Sequence, residues 1–286
     1  MNKNGKIVLL GKIILVAIVA FIWLSFDSIT GNVAKTPSDT DPYPSKDVKA
    51  LTIATWNLQI FGVTKAANEE LLQDYVSILD DFDIVFVQEI RDKSESAFQT
   101  LCARLPDYTC AVSARAGRSS SKEQYGVLYR DVSLETGKSI KLIKLQDSTP
   151  DAQDRWERPP LAATFAVDGY VFTAYTIHIK PAAVQQELAA LEALVPDKGN
   201  ILILGDFNAD CSYYNAQQEQ EFDTWHWIIR DTADTTVAQS SCTYDRILLN
   251  DDALEEYGKK GIVTEGITEA HSDHYLVWIG LEPKEK

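Results

Sequence analysis

The order of apolar runs predicts a mixed α/β domain in which one sheet packs on another. Strand-like runs recur from residue 51 to the end, some separated by helical patterns and some only by turns. That irregular alternation suits packed mixed sheets better than a simple alternating barrel. The chain has 286 residues, 45% of them hydrophobic, ample for a buried core in one or two domains. At 24%, charged residues argue against both intrinsic disorder and a multi-span membrane protein.

The chain opens with Lys3, Lys6 and Lys12 around an apolar run from Ile7 to Phe26. Its uninterrupted part, Ile13 to Phe26 broken only by Ser25, is 14 residues. That is the length of a signal sequence's apolar region, short of the roughly 20 residues of a full span. Asn32-Val33-Ala34 is a poor cleavage site, so an uncleaved signal anchor stands beside a cleaved signal peptide. Residues 1–26 are therefore read as the signal peptide or anchor. Residues 27–50, with Pro37, Pro42 and Pro44 among Ser and Asp, are read as a linker that forms no packed element, and residues 51–286 as one folded domain.

Within that domain the strand-like runs are Leu51–Trp56, Ile84–Val87, Ala111–Ser113, Gly126–Tyr129, Leu161–Val167, Val171–Ile177, Ile201–Leu204, Ile247–Leu249 and Tyr275–Ile279. Asn68–Asp80 has helical spacing, with Leu71, Leu72, Tyr75, Val76 and Leu79 on one stripe. Lys180-Pro181 opens a second helix through Leu188, Leu191 and Leu194, with Pro suited to a first turn. Trp225-His226-Trp227 reads as a helix face, and His226 as a packing or solvent residue.

Charge narrows the function. The net charge is -15, and residues 1–50 carry six Lys against four Asp, leaving -17 for the remainder. This argues against a passive basic coat for nucleic acid, but not against an enzyme that recruits divalent cations to meet an anionic substrate. Four cysteines, Cys102, Cys110, Cys211 and Cys242, show no zinc-site spacing and allow three connectivities, or none if they are buried thiols. In an exported protein two disulfides are plausible.

The informative pattern is where the apolar runs stop. Ile53 to Trp56 ends in Asn57, Ile84 to Val87 in Gln88-Glu89, and Phe172 to Ile177 in His178. Ile201 to Leu204 ends in Gly205-Asp206-Phe207-Asn208. Singly these are strand-end residues, but strands sharing one sense would gather them on one rim, where α/β folds place their sites. In extended geometry, Asp206 and Asn208 would point the same way. Glu, Asp and Asn oxygens are hard ligands, suited to Mg²⁺, Mn²⁺ or Ca²⁺ rather than zinc. A divalent cation on phosphoryl oxygens, with histidines moving protons, is a route to phosphate ester hydrolysis. No Walker-type glycine loop, Gly-x-Ser-x-Gly elbow or dinucleotide fingerprint occurs, which disfavours ATP-driven, acyl-transfer and hydride chemistry.

Several longer blocks carry a family resemblance: Thr55-Trp56-Asn57, Val87 through Asp92, Lys122 through Tyr125, Arg158-Pro159-Pro160, Gly205 through Tyr213, Ala233 through Thr236, Cys242 through Ile247 and Ser272 through Tyr275. Through them the chain, from about Leu51 to Leu281, resembles the endonuclease/exonuclease/phosphatase superfamily and, within it, the secreted deoxyribonuclease I family. The resemblance implies a four-layer α/β sandwich, two packed mixed sheets flanked by helices. It implies Asn57, Glu89 and Asp273 as ligands of Mg²⁺ or Mn²⁺, with Asp206 and Asn208 close to metal and scissile phosphate. His178 and His274 become the proton-transfer pair, oriented by Glu123 and Asp245, and Arg91 and Arg158 the phosphate holders. It implies a Cys211–Cys242 disulfide, which leaves Cys102 and Cys110 as a second pair.

Departures from the family are equally specific. Ser121 stands where a tyrosine would pack into the DNA minor groove, a stacking contact worth about 1–3 kcal/mol, and Gln59 replaces a groove-reading arginine. Of the positions implied for structural calcium, Asp234 and Thr236 match, but Ala238 has no side-chain oxygen and Ser240 replaces a threonine. At a second calcium position Asp154 matches, but Pro159 replaces an acidic residue. His271 is read as a rim residue, Asp210 as a turn residue or third carboxylate, and Arg118 and Lys122 as phosphate contacts or solvated loop. The reading is an exported, metal-dependent phosphodiesterase with DNA as substrate, secreted, periplasmic or tethered to the membrane by its N-terminus, and monomeric. Its alternatives are the same fold cutting a phospholipid head group, an inositol phosphate or RNA, and an inactive binding module.

Overall fold

The computed structural model describes residues 42–44, 49–118, 120–215 and 221–283. The predicted signal segment and most of the predicted linker lie outside them. Among the described residues no helix is long and apolar enough to cross a membrane.

Two six-stranded sheets form the domain. The first contains β1 (Leu51–Phe61), β2 (Ile84–Ile90), β3 (Tyr108–Val112), β4 (Gln124–Arg130), β11 (Tyr257–Val263) and β12 (Leu276–Leu281), in the order β11-β12-β1-β2-β4-β3. The second contains β5 (Ile140–Asp147), β6 (Leu161–Val167), β7 (Tyr170–His178), β8 (Asn200–Asp206), β9 (His226–Trp227) and β10 (Asp245–Leu249), in the order β5-β6-β7-β8-β10-β9. Each sheet is mostly antiparallel with one parallel pair inside it, β1–β2 in the first and β7–β8 in the second.

Alternation along the strands divides the apolar residues among three cores. Ile53, Phe86 and Val127 of the first sheet face Phe165, Phe172, Leu204 and Ile247 of the second. Phe86 meets Phe165 edge-to-face across the gap, with ring centroids 6.4 Å apart. On the first sheet's outer face lie α1 (Val63–Ala66), α2 (Glu69–Leu79) and α3 (Ser96–Cys102), packed on Trp56, Val85 and Trp278. On the second sheet's outer face, α4 (Val184–Glu192) sets Leu188 and Leu191 against Ile177, Ile203 and Leu248. The four-layer sandwich is thus the observed architecture. A fifth helical turn, α5 (Asp251–Leu254), follows β10.

Local chemistry explains the helix limits. Asn68 caps α2 by accepting from Leu71 N–H, and Glu69 and Glu70 lie in the first turn, where the helix dipole favours negative charge. Pro181 opens a 3-10 turn at 181–183 that leads into α4. Gly126 lets α3 approach the first sheet, since a Cβ there would lie 2.6 Å from the Phe98 ring.

One predicted element is different in the structure. His226 and Trp227 form strand β9 against β10, because pairing with Leu248 and Leu249 overrides the aromatic spacing. The linker is seated at its described part: Trp278 Nε1 donates to Pro42 O at 3.3 Å and Tyr43 packs on the helix-side core. Strands β5 and β11 lie outside the strand-like runs of the sequence.

Candidate active site

The parallel pairs carry polar groups to one end of each sheet. His178 and Asp206 are in register at the ends of β7 and β8, and antiparallel β10 places Asp245 opposite Asp206. In the first sheet Asn57 is level with Gln88, one residue before Glu89. The two groups meet between the sheets, where Asn57 Nδ2 donates to Asp206 Oδ2 at 2.9 Å.

Backbone conformation sets these positions. Gly205 has φ +136°, and a Cβ there would sit 2.1 Å from Ile177 O, so only glycine lets β8 end beside β7. Glu89, Gln59 and Ile60 are left-handed non-glycine residues at a bulge between β1 and β2. The bulge points Ile60 N–H at Glu89 Oε2 (2.8 Å) and Gln59 N–H at Asn57 Oδ1 (2.9 Å). Asn208, expected to be extended, is also left-handed. Its N–H donates to Asp206 Oδ1 at 3.0 Å and its Nδ2 to Ile179 O at 3.0 Å, so a tight turn brings the two side chains together.

Two buried carboxylate–imidazole pairs flank Asp206. His178 Nδ1 lies 2.7 Å from Glu123 Oε1, and His274 Nδ1 lies 2.7 Å from Asp245 Oδ2. Carboxylates on Nδ1 hold that nitrogen protonated and turn Nε2 inward. Both inward nitrogens approach the same oxygen, with His178 Nε2 at 3.3 Å and His274 Nε2 at 3.5 Å from Asp206 Oδ2.

The rings are fixed by their neighbours. Tyr125 Oη accepts from His178 N–H and donates to Arg158 O. Arg158 Nε donates to His178 O at 2.9 Å and lies 3.1 Å from Glu123 Oε1. On the other side, Trp56 Nε1 donates to His274 O and Ser272 Oγ accepts from His274 N–H. Tyr125 and Ser272 lie inside the sequence blocks noted above, although their supporting roles were not read from them.

Electrostatics follow from burial and pairing. Burial works against charge on both imidazoles, yet Glu123 raises His178 above the ordinary histidine range and Asp245 does the same for His274. Burial likewise opposes ionisation of Glu123, but His178 and Arg158 hold its carboxyl below the usual range. Burial pushes Asp245 up, against the pull of His274.

The donor set fits a divalent cation. Asn57 Nδ2 lies 3.4 Å from Glu89 Oε1 and 2.9 Å from Asp206 Oδ2, so two carboxylates converge on one amide. Ligand atoms of Glu89, Glu123 and His178 lie within 4.8 Å of one another. Gathering carboxylates away from water is costly without a cation, and oxygen donors suit a hard one. Asp273 Oδ1 lies 3.7 Å from His274 Nε2, on a half-exposed side chain. Beside the carboxylates Arg91, Arg118, Arg158 and Lys180 line a cavity of about 400 Å³ with Ser121.

The positions named for calcium make contacts within the protein. Asp154 Oδ1 pairs with Arg118 Nε at 2.8 Å. Asp234 Oδ1 accepts from Thr236 N and Oγ1, and Thr236 Oγ1 lies 2.6 Å from Ser240 O. His271, read as a rim residue, is buried, with Nδ1 at Thr268 and Nε2 3.1 Å from Asp74 Oδ2. Asp210 accepts from Cys211 N–H and Thr243 N–H, which makes it a turn residue. Cysteines 102 and 110 are bonded, as are 211 and 242, with Cα separations of 6.3 and 5.9 Å.

Over residues 54–274 the sequence matches the Endonuclease/Exonuclease/phosphatase family. It is 31% identical over 266 residues to Deoxyribonuclease-1 of Gallus gallus, covering 82% of this chain and 93% of that protein. Deoxyribonuclease-1 of Homo sapiens is 32% identical over 268 residues, with coverages of 82% and 93%. A solved structure of an endonuclease/exonuclease/phosphatase family protein from Leptotrichia buccalis is similar in fold, with a TM-score of 0.61 at 15% identity, covering 82% of this chain and 100% of that one.

Proposed function

The chain belongs to the endonuclease/exonuclease/phosphatase family, and from that premise we propose that it is an exported, divalent-cation-dependent phosphodiesterase that cuts DNA with low sequence specificity and leaves 5′ phosphates. The observation that carries the reading is the convergence of His178 Nε2 and His274 Nε2 on Asp206 Oδ2, each ring backed by its own buried carboxylate. A binding module has no need of two such pairs. The likeness to two proteins named Deoxyribonuclease-1 supports DNA as the substrate. Two disulfides support export, since such bonds persist in oxidising compartments.

In the proposed reaction one imidazole takes a proton from the attacking water and the other gives one to the departing 3′ oxygen. Glu123 and Asp245 keep each ring in the tautomer that presents Nε2 and stabilise it when charged. Asn208 places one amide hydrogen on Ile179 O, and the second would meet a non-bridging phosphoryl oxygen. Arg91 and Arg158 hold neighbouring phosphates, and the Arg158 Nη2 has no hydrogen-bond partner among the described residues. Asn57, Glu89, Asp206 and Asp273 would hold Mg²⁺ or Mn²⁺, which when bound supplies Lewis-acid stabilisation of phosphoryl charge.

The test is nicking of supercoiled plasmid by the oxidised protein in Mg²⁺, with and without EDTA, beside a His274→Ala control. Metal-dependent nicking that the control lacks supports the proposal. Folded protein that leaves plasmid, single-stranded DNA and RNA intact overturns it.

A further inference from the structure

Lys65, at the end of α1, belongs to none of the blocks that carry the family likeness. Its Nζ donates to three backbone carbonyls: Leu58 O at 2.9 Å, Gln59 O at 2.6 Å and His271 O at 2.6 Å. An ammonium has three N–H donors, so all are used. Two acceptors directly follow Asn57 and the third lies two residues before Asp273. One cation therefore joins chain segments that are 206 residues apart where it bonds His271. Ser272 Oγ adds a second tie by donating to Asn57 O at 2.6 Å, and Tyr75 Oη also donates to His271 O.

The segment on the β1 side needs such support. Gln59 and Ile60 have φ of +43° and +54°, a region that is unfavourable for a branched side chain such as Ile60. Ile60 is 57% exposed, so packing does not compensate. This turn aims Ile60 N–H at Glu89 Oε2. Without the ammonium, the carbonyls of Leu58 and Gln59 would lose this donor and His271 O would be left to Tyr75 Oη.

We infer that Lys65 is a positioning residue, a built-in cation that holds the Asn57–Glu89 side and the Asp273 side of the divalent-cation site at their working separation and so sets that site's affinity. The inference rests on the assignment of those residues as metal ligands in the proposed function. Lys65 itself touches neither metal nor substrate.

The test is titration calorimetry of the full-length oxidised protein with MgCl₂, with Glu89→Gln identifying the heat that belongs to this site. Lys65→Met is expected to weaken Mg²⁺ binding about tenfold or more, in the range seen when partners of metal ligands are removed. Raising Mg²⁺ should then return nicking to near the wild-type rate, because the loss lies in metal affinity and not in the proton-transfer pair. Lys65→Gln keeps a donor without the charge and should fall between, and it decides the question if the methionine variant does not fold. No cysteine among the described residues is free, so Lys65→Cys treated with bromoethylamine regenerates an ammonium at this position and should restore binding. Wild-type Mg²⁺ affinity in the methionine or glutamine variant, or a rate loss that saturating Mg²⁺ does not recover, overturns the inference. So does a wild-type protein that binds no Mg²⁺. A wild type that binds Mg²⁺ but cuts no nucleic acid sinks the nuclease reading alone, since the calorimetric comparison is read without turnover.

Discussion

His178 and His274 each rest against a buried carboxylate and approach one shared oxygen, so neither ring is redundant in the proposed chemistry. Replacing either by alanine is expected to lower the nicking rate at least about a hundredfold, the range for a positioned acid or base. Unchanged near-ultraviolet circular dichroism would show the fold intact, and full activity in either variant would remove that ring from the mechanism. The same pairing predicts a pH dependence of stability. His274 is raised to about 10 in the folded protein, against about 6.5 for an unperturbed histidine. A raised folded value means that its contribution is fully present below about pH 6.5 and is lost as pH rises towards 10. In EDTA, the denaturant midpoint of the wild type should therefore decline between these limits more steeply than that of His274→Gln. Parallel curves would show that the pair contributes nothing net.

At the level of elements, α3 starts in an unusual way. The residue before it, Glu95, is left-handed and caps nothing with its side chain. Asp92 does this from four residues upstream, with Oδ2 accepting from Ser96 N–H at 2.7 Å and Ala97 N–H at 2.9 Å. Burial opposes its charge, but these and the Ser94 hydrogen bonds hold the carboxyl well below the ordinary aspartate range. Asp92→Ala should cost about 1–2 kcal/mol, as lost helix caps do. Because the folded value is depressed, that difference should be present above about pH 4 and fade as pH falls further. An equal difference at pH 7 and pH 2.5 in urea titrations would assign it to packing instead. The elements most legible in the sequence were those whose own residues decide them, such as α2 with its apolar stripe and β8 with Ile201 to Leu204. β11 reads Tyr-Gly-Lys-Lys-Gly-Ile-Val and β9 is two residues long, so partners across the sheet make them strands. Likewise Asn57, Glu89, His178 and Asp206 showed themselves as polar ends of apolar runs. Lys65 did not, because its partners are carbonyls that only the folded chain brings together.

Across the whole molecule, a net charge of -15 repels a polyanion, so grip must come from a local exception. In the proposed function Arg91 and Arg158 supply it, in a cavity that Arg118 and Lys180 line together with Glu89, Glu123 and Glu157. Holding that exception in place falls partly to the covalent links. Cys211–Cys242 closes a span of 31 residues and joins the loop that follows Asp206 and Asn208 to the segment that leads into Asp245. Cys102–Cys110 closes only 8 residues, between α3 and β3, away from the proton-transfer pair. Loop-closure entropy grows with span, so the longer bridge should matter more, at about 2–4 kcal/mol. Cys211→Ser is therefore expected to lower unfolding free energy by that amount under non-reducing conditions, and Cys102→Ser by less. The two variants should also differ in activity: loosening the 211–242 link frees Asp206 and Asp245 to drift apart, whereas loosening the other should leave the rate per folded molecule unchanged. Equal stability losses, or a Cys211→Ser protein with an unchanged melting temperature and rate, would show that the strand register between β8 and β10 holds the site without help from the disulfide.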